Sequence, residues 1–150
     1  MAHVRTSIRT AIASRLTGLT TTSTRVYPSR IQPLADANLP CLRVYLDEEE
    51  ISTDSVGTNP LLERSAVLRV ECCAKAVSGL DSTLDTMVAE VETAIATAAD
   101  PTFGGVTSSR PLPVSISVDI DDGLEKPVGI ATITYRVFYI TLAGSPGSLA

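Results

Sequence analysis

The stretch Ser65-Ala-Val-Leu-Arg-Val-Glu-Cys-Cys-Ala-Lys75 decides the fold, because its apolar and polar side chains alternate along the chain. Leu68 belongs to an apolar face, whereas its neighbour Arg69 belongs to a polar one. Alternation with a period of two residues is typical of a β-strand with one face on a core. The segment Cys41–Glu48 alternates in the same way. Two such strands with a polar connection predict an antiparallel hairpin.

The connection between these strands, Glu49–Asn59, is polar and ends before Pro60, which predicts a long loop. Loops of this length are uncommon in compact domains unless they have a function. We expect residues 49–64 to be weakly ordered in the free chain and to become ordered on contact with another protein. Arg64 and the Glu48–Glu50 cluster are expected to form ion pairs between chains. The predicted contact residues are Glu48, Glu49, Glu50, Asp54, Asn59, Glu63 and Arg64.

Two segments have the apolar periodicity of helices. Leu80–Ala99 carries apolar residues at spacings of three and four, and Asp100-Pro101 ends the pattern. The same spacing predicts a first helix over about residues 3–17. The remaining predicted strands are Arg25–Ser29, Val114–Ile120 and Ile130–Leu142, and residues 143–150 are predicted to form a loose tail.

The predicted order of elements is α-β-β-β-α-β-β. Strands outnumber helices and follow one another, which favours an α+β fold. We expect an antiparallel or mixed β-sheet with the two helices packed on one face. A length of 150 residues suits one domain, residues 1–150, and a hydrophobic content of 44% is enough for a packed core.

Composition argues against several classes of protein. The net charge of −5 does not indicate a basic face for nucleic-acid phosphates. No apolar run approaches membrane-spanning length, and the N-terminus lacks the apolar stretch of a signal peptide. We therefore expect a soluble protein made in the cytoplasm, without membrane contact. The three cysteines include the adjacent pair Cys72 and Cys73, whose side chains would diverge in a strand, so we expect reduced thiols.

No group of residues predicts catalysis. His3 is the single histidine and lies at the extreme N-terminus, so no Ser-His-Asp arrangement is built around it. Cys72-Cys73 lacks the CxxC spacing of a metal site. Gly104-Gly105 follows a helix, whereas a phosphate-binding loop precedes one. We predict that the protein is not an enzyme and has no metal or cofactor.

Two acidic clusters remain, one at Glu48–Glu50 with Asp54 and one at Asp119, Asp121 and Asp122. Neither has the spacing of a calcium-binding EF-hand loop. The first interpretation is that they are solvated charges at turns. The alternative is that they pair with arginines of a neighbouring chain.

Short motifs follow one another in a characteristic order. Arg25-Val-Tyr-Pro-Ser-Arg30 and Pro33-Leu34 precede Leu39-Pro-Cys-Leu-Arg-Val-Tyr45. The later motifs are the acidic loop Glu48–Asp54, the Arg-led strand Arg64–Ala76, the helix Leu80–Ala99 and the Gly-led strand Gly129–Thr141. This ordered set resembles the minor tail protein U family of lambda-like phages. The resemblance covers roughly residues 3–142, and the C-terminal tail departs from it.

The resemblance implies a structural tail terminator located at the head-proximal end of the tail in the virion. The chain would form a homo-hexameric ring that caps the tail tube, stops its polymerisation and presents a surface to the head–tail connector protein. The contact loop would then meet a neighbouring subunit or the tail-tube protein. The alternative is a head–tail connector or tail-tube subunit. A small hydrolase or ligand-binding domain is a third hypothesis, which requires a pocket with convergent polar groups.

DNA has to pass through such a ring, and a basic lumen would retain its phosphates. We therefore expect acidic residues to line the channel, so that DNA passes without specific binding. The candidates are Asp47, Glu71, Asp119 and Asp121. The alternative is that these acids only make the outer wall soluble.

Overall fold

The computed structural model describes residues 2–31, 35–53, 56–121, 123 and 127–150. Within these residues the chain forms two α-helices and six strands. Their bounds, in chain order, are α1 (Val4–Leu16), β1 (Val26–Tyr27), β2 (Cys41–Thr53), β3 (Leu61–Lys75), α2 (Leu80–Ala96), β4 (Leu112–Asp121), β5 (Val128–Leu142) and β6 (Ser145–Leu149). The predicted α+β class and the predicted order are confirmed, and β6 is additional.

The strands form one mixed sheet in the order β1-β2-β3-β5-β4, with β6 paired to the end of β5. β1 is parallel to β2, and the other neighbours are antiparallel. β3 and β5 pair along their whole lengths, from Leu61 opposite Leu142 to Lys75 opposite Val128. The predicted central strand therefore lies in the middle of the sheet, between the hairpin partner β2 and the long strand β5.

Both helices pack on one face of the sheet, as predicted. α1 contacts β2, and α2 contacts β3 and β5. Alternate strand residues, such as Val44, Val70 and Ile133, are fully buried beneath the helices. We call the opposite side the polar face. It carries Arg43, Tyr45 and Asp47 of β2, Arg69 and Glu71 of β3, Thr132, Thr134 and Arg136 of β5, and Ser115, Ser117, Asp119 and Asp121 of β4.

The prediction of a long loop over Glu49–Asn59 is wrong. β2 continues to Thr53, and β3 already begins at Leu61, so the hairpin tip is short. The polar segment is extended because it pairs with β3, which β5 in turn supports along its whole length on the other side. Asp54, which belongs to the tip, lies outside the described residues.

The C-terminal residues, predicted to form a loose tail, contain β6 instead. Thr141 pairs with Leu149, and the amide of Ala150 donates to the carbonyl of Ile140 at 2.9 Å. The connection is held by Asn59 of the hairpin tip, whose Oδ1 accepts from the Gly144 amide at 2.7 Å. The amides and carbonyls of residues 143–150 make these contacts, which the composition of a Gly/Ser/Pro segment does not reveal.

The cysteines lie on both faces of the sheet. Cys72 is in the core below the helices, whereas Cys73 faces Cys41 across the β2–β3 pair. All three are buried and free, and the predicted divergence of Cys72 and Cys73 is confirmed. Burial raises the pKa of Cys72 to about 12.

The native thiols are expected to react slowly with an aromatic disulfide reagent at pH 8, because all three are buried, including Cys41, whose pKa is lowered by its hydrogen bond with Cys73. The thiolate is the reactive form, and the raised pKa of Cys72 lowers its thiolate fraction about a thousandfold against the unfolded chain. Time courses should give three reactive thiols in guanidinium chloride and, in native buffer, a reaction at least about a hundredfold slower. Three thiols that react at the unfolded rate would contradict the burial of these side chains.

Candidate assembly surfaces

A β-bulge in β2 decides where the acidic residues of the hairpin point. The register of β2 with β3 shifts between Leu46, which lies opposite Leu68, and Glu49, which lies opposite Ala66. Because a bulge adds one residue to one strand, the alternation of side chains is displaced beyond it. Glu49 thus takes the core-facing position that Glu48 would occupy in a regular strand.

Glu49 meets Arg64 at the end of the helix-covered face. Arg64 Nη1 lies 3.0 Å from Glu49 Oε2, and the two side chains are only 7% and 8% exposed. Arg64 Nε also donates to Thr141 Oγ1 at 2.9 Å, and its guanidinium lies 5.8 Å from the centre of the Tyr139 ring. The Tyr139 hydroxyl donates to Glu49 Oε1. Glu49, Arg64, Tyr139 and Thr141 therefore form a buried polar cluster.

The start of α1 covers this cluster. Arg5 Nη1 lies 3.7 Å from Glu49 Oε1, and Arg5 Nη2 donates to the carbonyls of Leu46 and Asp47 at 3.2 and 3.1 Å. His3 caps the helix, because its Nδ1 accepts from the Arg5 amide at 3.1 Å. Burial, followed by the positive charge of Arg64, lowers the pKa of His3. The arrangement ties α1 to the hairpin, and His3 has a structural role in capping α1.

The cluster changes the interpretation of the predicted contact residues. Glu49 and Arg64 are paired with each other inside one chain, whereas the sequence predicted pairs between chains. Glu48, Glu50 and Glu63 are exposed, and Asn59 is exposed beside Gly144. The structure thus brings part of the predicted set into the core and leaves Glu48, Glu50, Asn59 and Glu63 at the surface.

The polar face is crossed by ion pairs. Asp47 accepts from Arg30 Nη2 at 2.8 Å and from Arg69 Nε at 3.0 Å. The hydrogen bond from Arg30, followed by that from Arg69, lowers the pKa of Asp47. Glu71 lies 3.0 Å from Arg43, its direct neighbour across the β2–β3 pair. Two of the four predicted channel acids are therefore neutralised by arginines.

The other two predicted channel acids lie on β4. Asp119 pairs with Ile130 and Asp121 with Val128, so both share the polar face with Asp47 and Glu71. Both are exposed, and no arginine or lysine occurs within β4. The structure brings all four acids to one face of the sheet. Of these four, the two without a described ion pair are Asp119 and Asp121, which lie on the edge strand β4.

Sequence reasoning missed the principal surface feature of β4. Ile116, Val118 and Ile120 are 49%, 51% and 38% exposed, and Leu112 and Val114 are also exposed. The first three pair with Ile133, Ala131 and Gly129, which face the helices. The sheet thus extends beyond the cover that the helices provide. The alternation of side chains predicted the strand correctly, but it carries no signal of whether anything covers its apolar side.

A surface groove of about 670 Å³ runs between the end of α1 and α2. Its charged groups are engaged: Arg15 Nε donates to the Ala94 carbonyl at 2.8 Å, and Glu90 accepts from the Thr21 amide at 2.9 Å. The rest of the lining is mainly threonine, alanine and Leu19. In the described part of the chain, no three His, Cys, Asp or Glu residues are grouped to hold a metal ion. The Thr21 hydroxyl also donates to Glu90, so this carboxylate is held by two hydrogen bonds from one residue.

Comparison with known protein families assigns the chain to one of them. The sequence profile described as Phage minor tail protein U matches residues 3–139. The chain belongs to this family. The resemblance found in the motifs is confirmed, and the chain has a structural role as a component of the phage tail in the virion.

Comparisons with solved structures and with curated proteins add less information about this chain. A chain from the structure titled "Virion of native gene transfer agent (GTA) particle" is 17% identical, with a TM-score of 0.47, and the match covers 87% of this chain and 94% of that one. No curated protein matches. Among the described helices, none is long and apolar enough to cross a membrane.

Proposed function

We propose that the chain is a tail terminator that acts as one copy in a hexameric ring. The ring caps the tail tube, stops its polymerisation and offers a surface to the head–tail connector protein. The observation that carries this proposal is β4, a long edge strand whose aliphatic side chains stay exposed beside a well-buried core. Such a strand favours coverage by another protein chain.

The hairpin tip is proposed as the contact with the tube or a neighbouring subunit. Asn59 is exposed at the tip, Asp54 belongs to it by sequence, and Glu48, Glu50 and Glu63 are exposed on the strands that lead to it. The buried pair of Glu49 and Arg64 supports this role indirectly, because it fixes these strands against α1.

The polar face is proposed to border the channel. Arginines balance Asp47 and Glu71, so the repulsion of DNA phosphates would come mainly from Asp119 and Asp121. No base contact is required, and DNA would pass without specific binding. We also propose that the chain has no enzymatic activity, because the charged groups of the groove beside α2, Arg15 and Glu90, are bound to other groups of the chain.

The alternative structural roles are distinguished by what the chain does to tail tubes. Tubes assembled without this chain are expected to have uncontrolled lengths, and addition of the purified protein is expected to place one ring at one end of each tube. Negative-stain images with measured tube lengths test this. A tube subunit would instead be distributed along the tube, and a connector would remain on heads and leave tube length unchanged. Either result would refute the terminator role.

A further inference from the structure

β4 is an edge strand whose apolar side is left uncovered. At about 3.3 Å per residue, its ten residues extend about 33 Å along the sheet. Its outer side is not paired with any described strand. Pro113, a register shift beside it and two aspartates protect this edge against pairing with another strand. They do not cover its apolar side, where Ile116, Val118 and Ile120 stay exposed.

Basic and acidic side chains are concentrated near opposite edges of the sheet. Residues 2–31, which form α1 and β1, contain no aspartate or glutamate. Their basic side chains are Arg5, Arg9, Arg15, Arg25 and Arg30. β1 is the first strand in the sheet order, and α1 packs beside it and β2. We call residues 2–31 the basic side. β4, the last strand in the order, has only acidic charges.

On the basic side, Arg5 and Arg30 form ion pairs with Glu49 and Asp47, whereas the described contacts of Arg15 and Arg25 are to neutral groups. Arg15 Nε donates to the Ala94 carbonyl at 2.8 Å, and Arg25 Nε donates to the Pro40 carbonyl at 2.7 Å. These contacts satisfy the donors but leave the net charge, since a carbonyl is neutral. A guanidinium fixed in this way keeps an attractive field for an acidic partner.

We propose that β4 of one copy docks its apolar side, with Ile116, Val118 and Ile120, against the basic side of the next copy, while Asp119 and Asp121 on the opposite, polar face stay open to the channel. This inference deepens the proposed ring and rests on it. The aliphatic residues supply burial, and the opposite charges orient the two copies. Two β4 edges would bring aspartates together, which disfavours a symmetric dimer. A contact between two different surfaces of one chain is the kind that closes into rings.

Photo-crosslinking in assembled tails tests the interface. Val118 is replaced by p-benzoylphenylalanine, and the matched control carries the same replacement at Val77, which is 78% exposed in the β3–α2 connection. After irradiation, crosslinked peptides are identified by mass spectrometry. We expect position 118, but not position 77, to crosslink to residues 2–31 of a second copy.

The other crosslinking results separate this inference from the proposed function. A crosslink from position 118 to β4 of another copy, to the tube protein or to the connector overturns the interface and leaves the terminator role standing. No crosslink above that of position 77 also overturns it. If the chain is absent from tails altogether, the proposed function itself fails.

A substitution gives a second measure of the same interface. Val118→Lys is expected to reduce ring incorporation at least about tenfold, because it places a positive charge against the basic side of the next copy. Val77→Lys is the control and should incorporate like the original chain. Both positions are exposed, so both variants should unfold at the original temperature. Normal incorporation of Val118→Lys would refute the docking surface.

Discussion

Replacement of Glu49 by alanine is expected to lower the free energy of unfolding by about 3–5 kcal/mol. The change leaves the Arg64 guanidinium buried without its carboxylate, and it removes the acceptor of the Tyr139 hydroxyl. Arg64 cannot turn to solvent without breaking its hydrogen bond to Thr141. Urea unfolding followed by circular dichroism measures the loss.

The neighbouring residue provides the control for this experiment. Glu48 is exposed, and Glu48→Ala is expected to change the free energy of unfolding by no more than about 0.5 kcal/mol. The double change Glu49→Leu with Arg64→Leu should recover part of the loss, because no unpaired charge remains buried. Equal effects of Glu49→Ala and Glu48→Ala would show that the bulge does not direct Glu49 into the core.

The second large effect is expected where α2 packs on β5. Leu84→Ala should lower the free energy of unfolding by about 2–5 kcal/mol, since Leu84 is fully buried and its removal leaves a cavity. Gly129→Ala should lower it by about 1–3 kcal/mol. A Cβ on Gly129 would lie 2.7 Å from Leu84 Cδ1 and 3.1 Å from Leu80 Cδ2, so the helix cannot approach as closely.

The two changes should compensate each other. With both present, the new methyl group occupies space that Leu84 has left, so the double variant should lose about 0.5–3 kcal/mol less than the sum of the single variants. Asp85→Ala, on the exposed side of α2, is the control and should change stability by no more than about 0.5 kcal/mol. Strict additivity would mean that Gly129 and Leu84 do not share this contact.

Local patterns in the sequence were sufficient for the type and order of the main elements. Alternation identified the strands containing Leu68, Val118 and Ile133, and apolar spacing identified α2. These predictions succeed because the period of a strand or helix is a local property of the chain. The ordered motifs also identified the family, which the profile match over residues 3–139 confirms.

The sites depended on contacts between distant residues. Glu49 enters the core only because a bulge shifts its register against β3, and polar residues up to Thr53 are extended because they pair with β3, which β5 supports on the other side. β6 likewise exists through backbone pairing with β5. None of these pairings leaves a periodic signal in the segment that it organises.

The exposure of β4 also depends on contacts between residues that are distant in the sequence. In the sequence, Ile116, Val118 and Ile120 have the alternation of a strand that faces a core. In the folded chain they lie on the helix-covered face but beyond both helices, at the last position of the sheet order. The sequence by itself determined that these residues form a strand with one apolar side. Only the tertiary structure decided that this side is open, because cover depends on where helices far along the chain are placed.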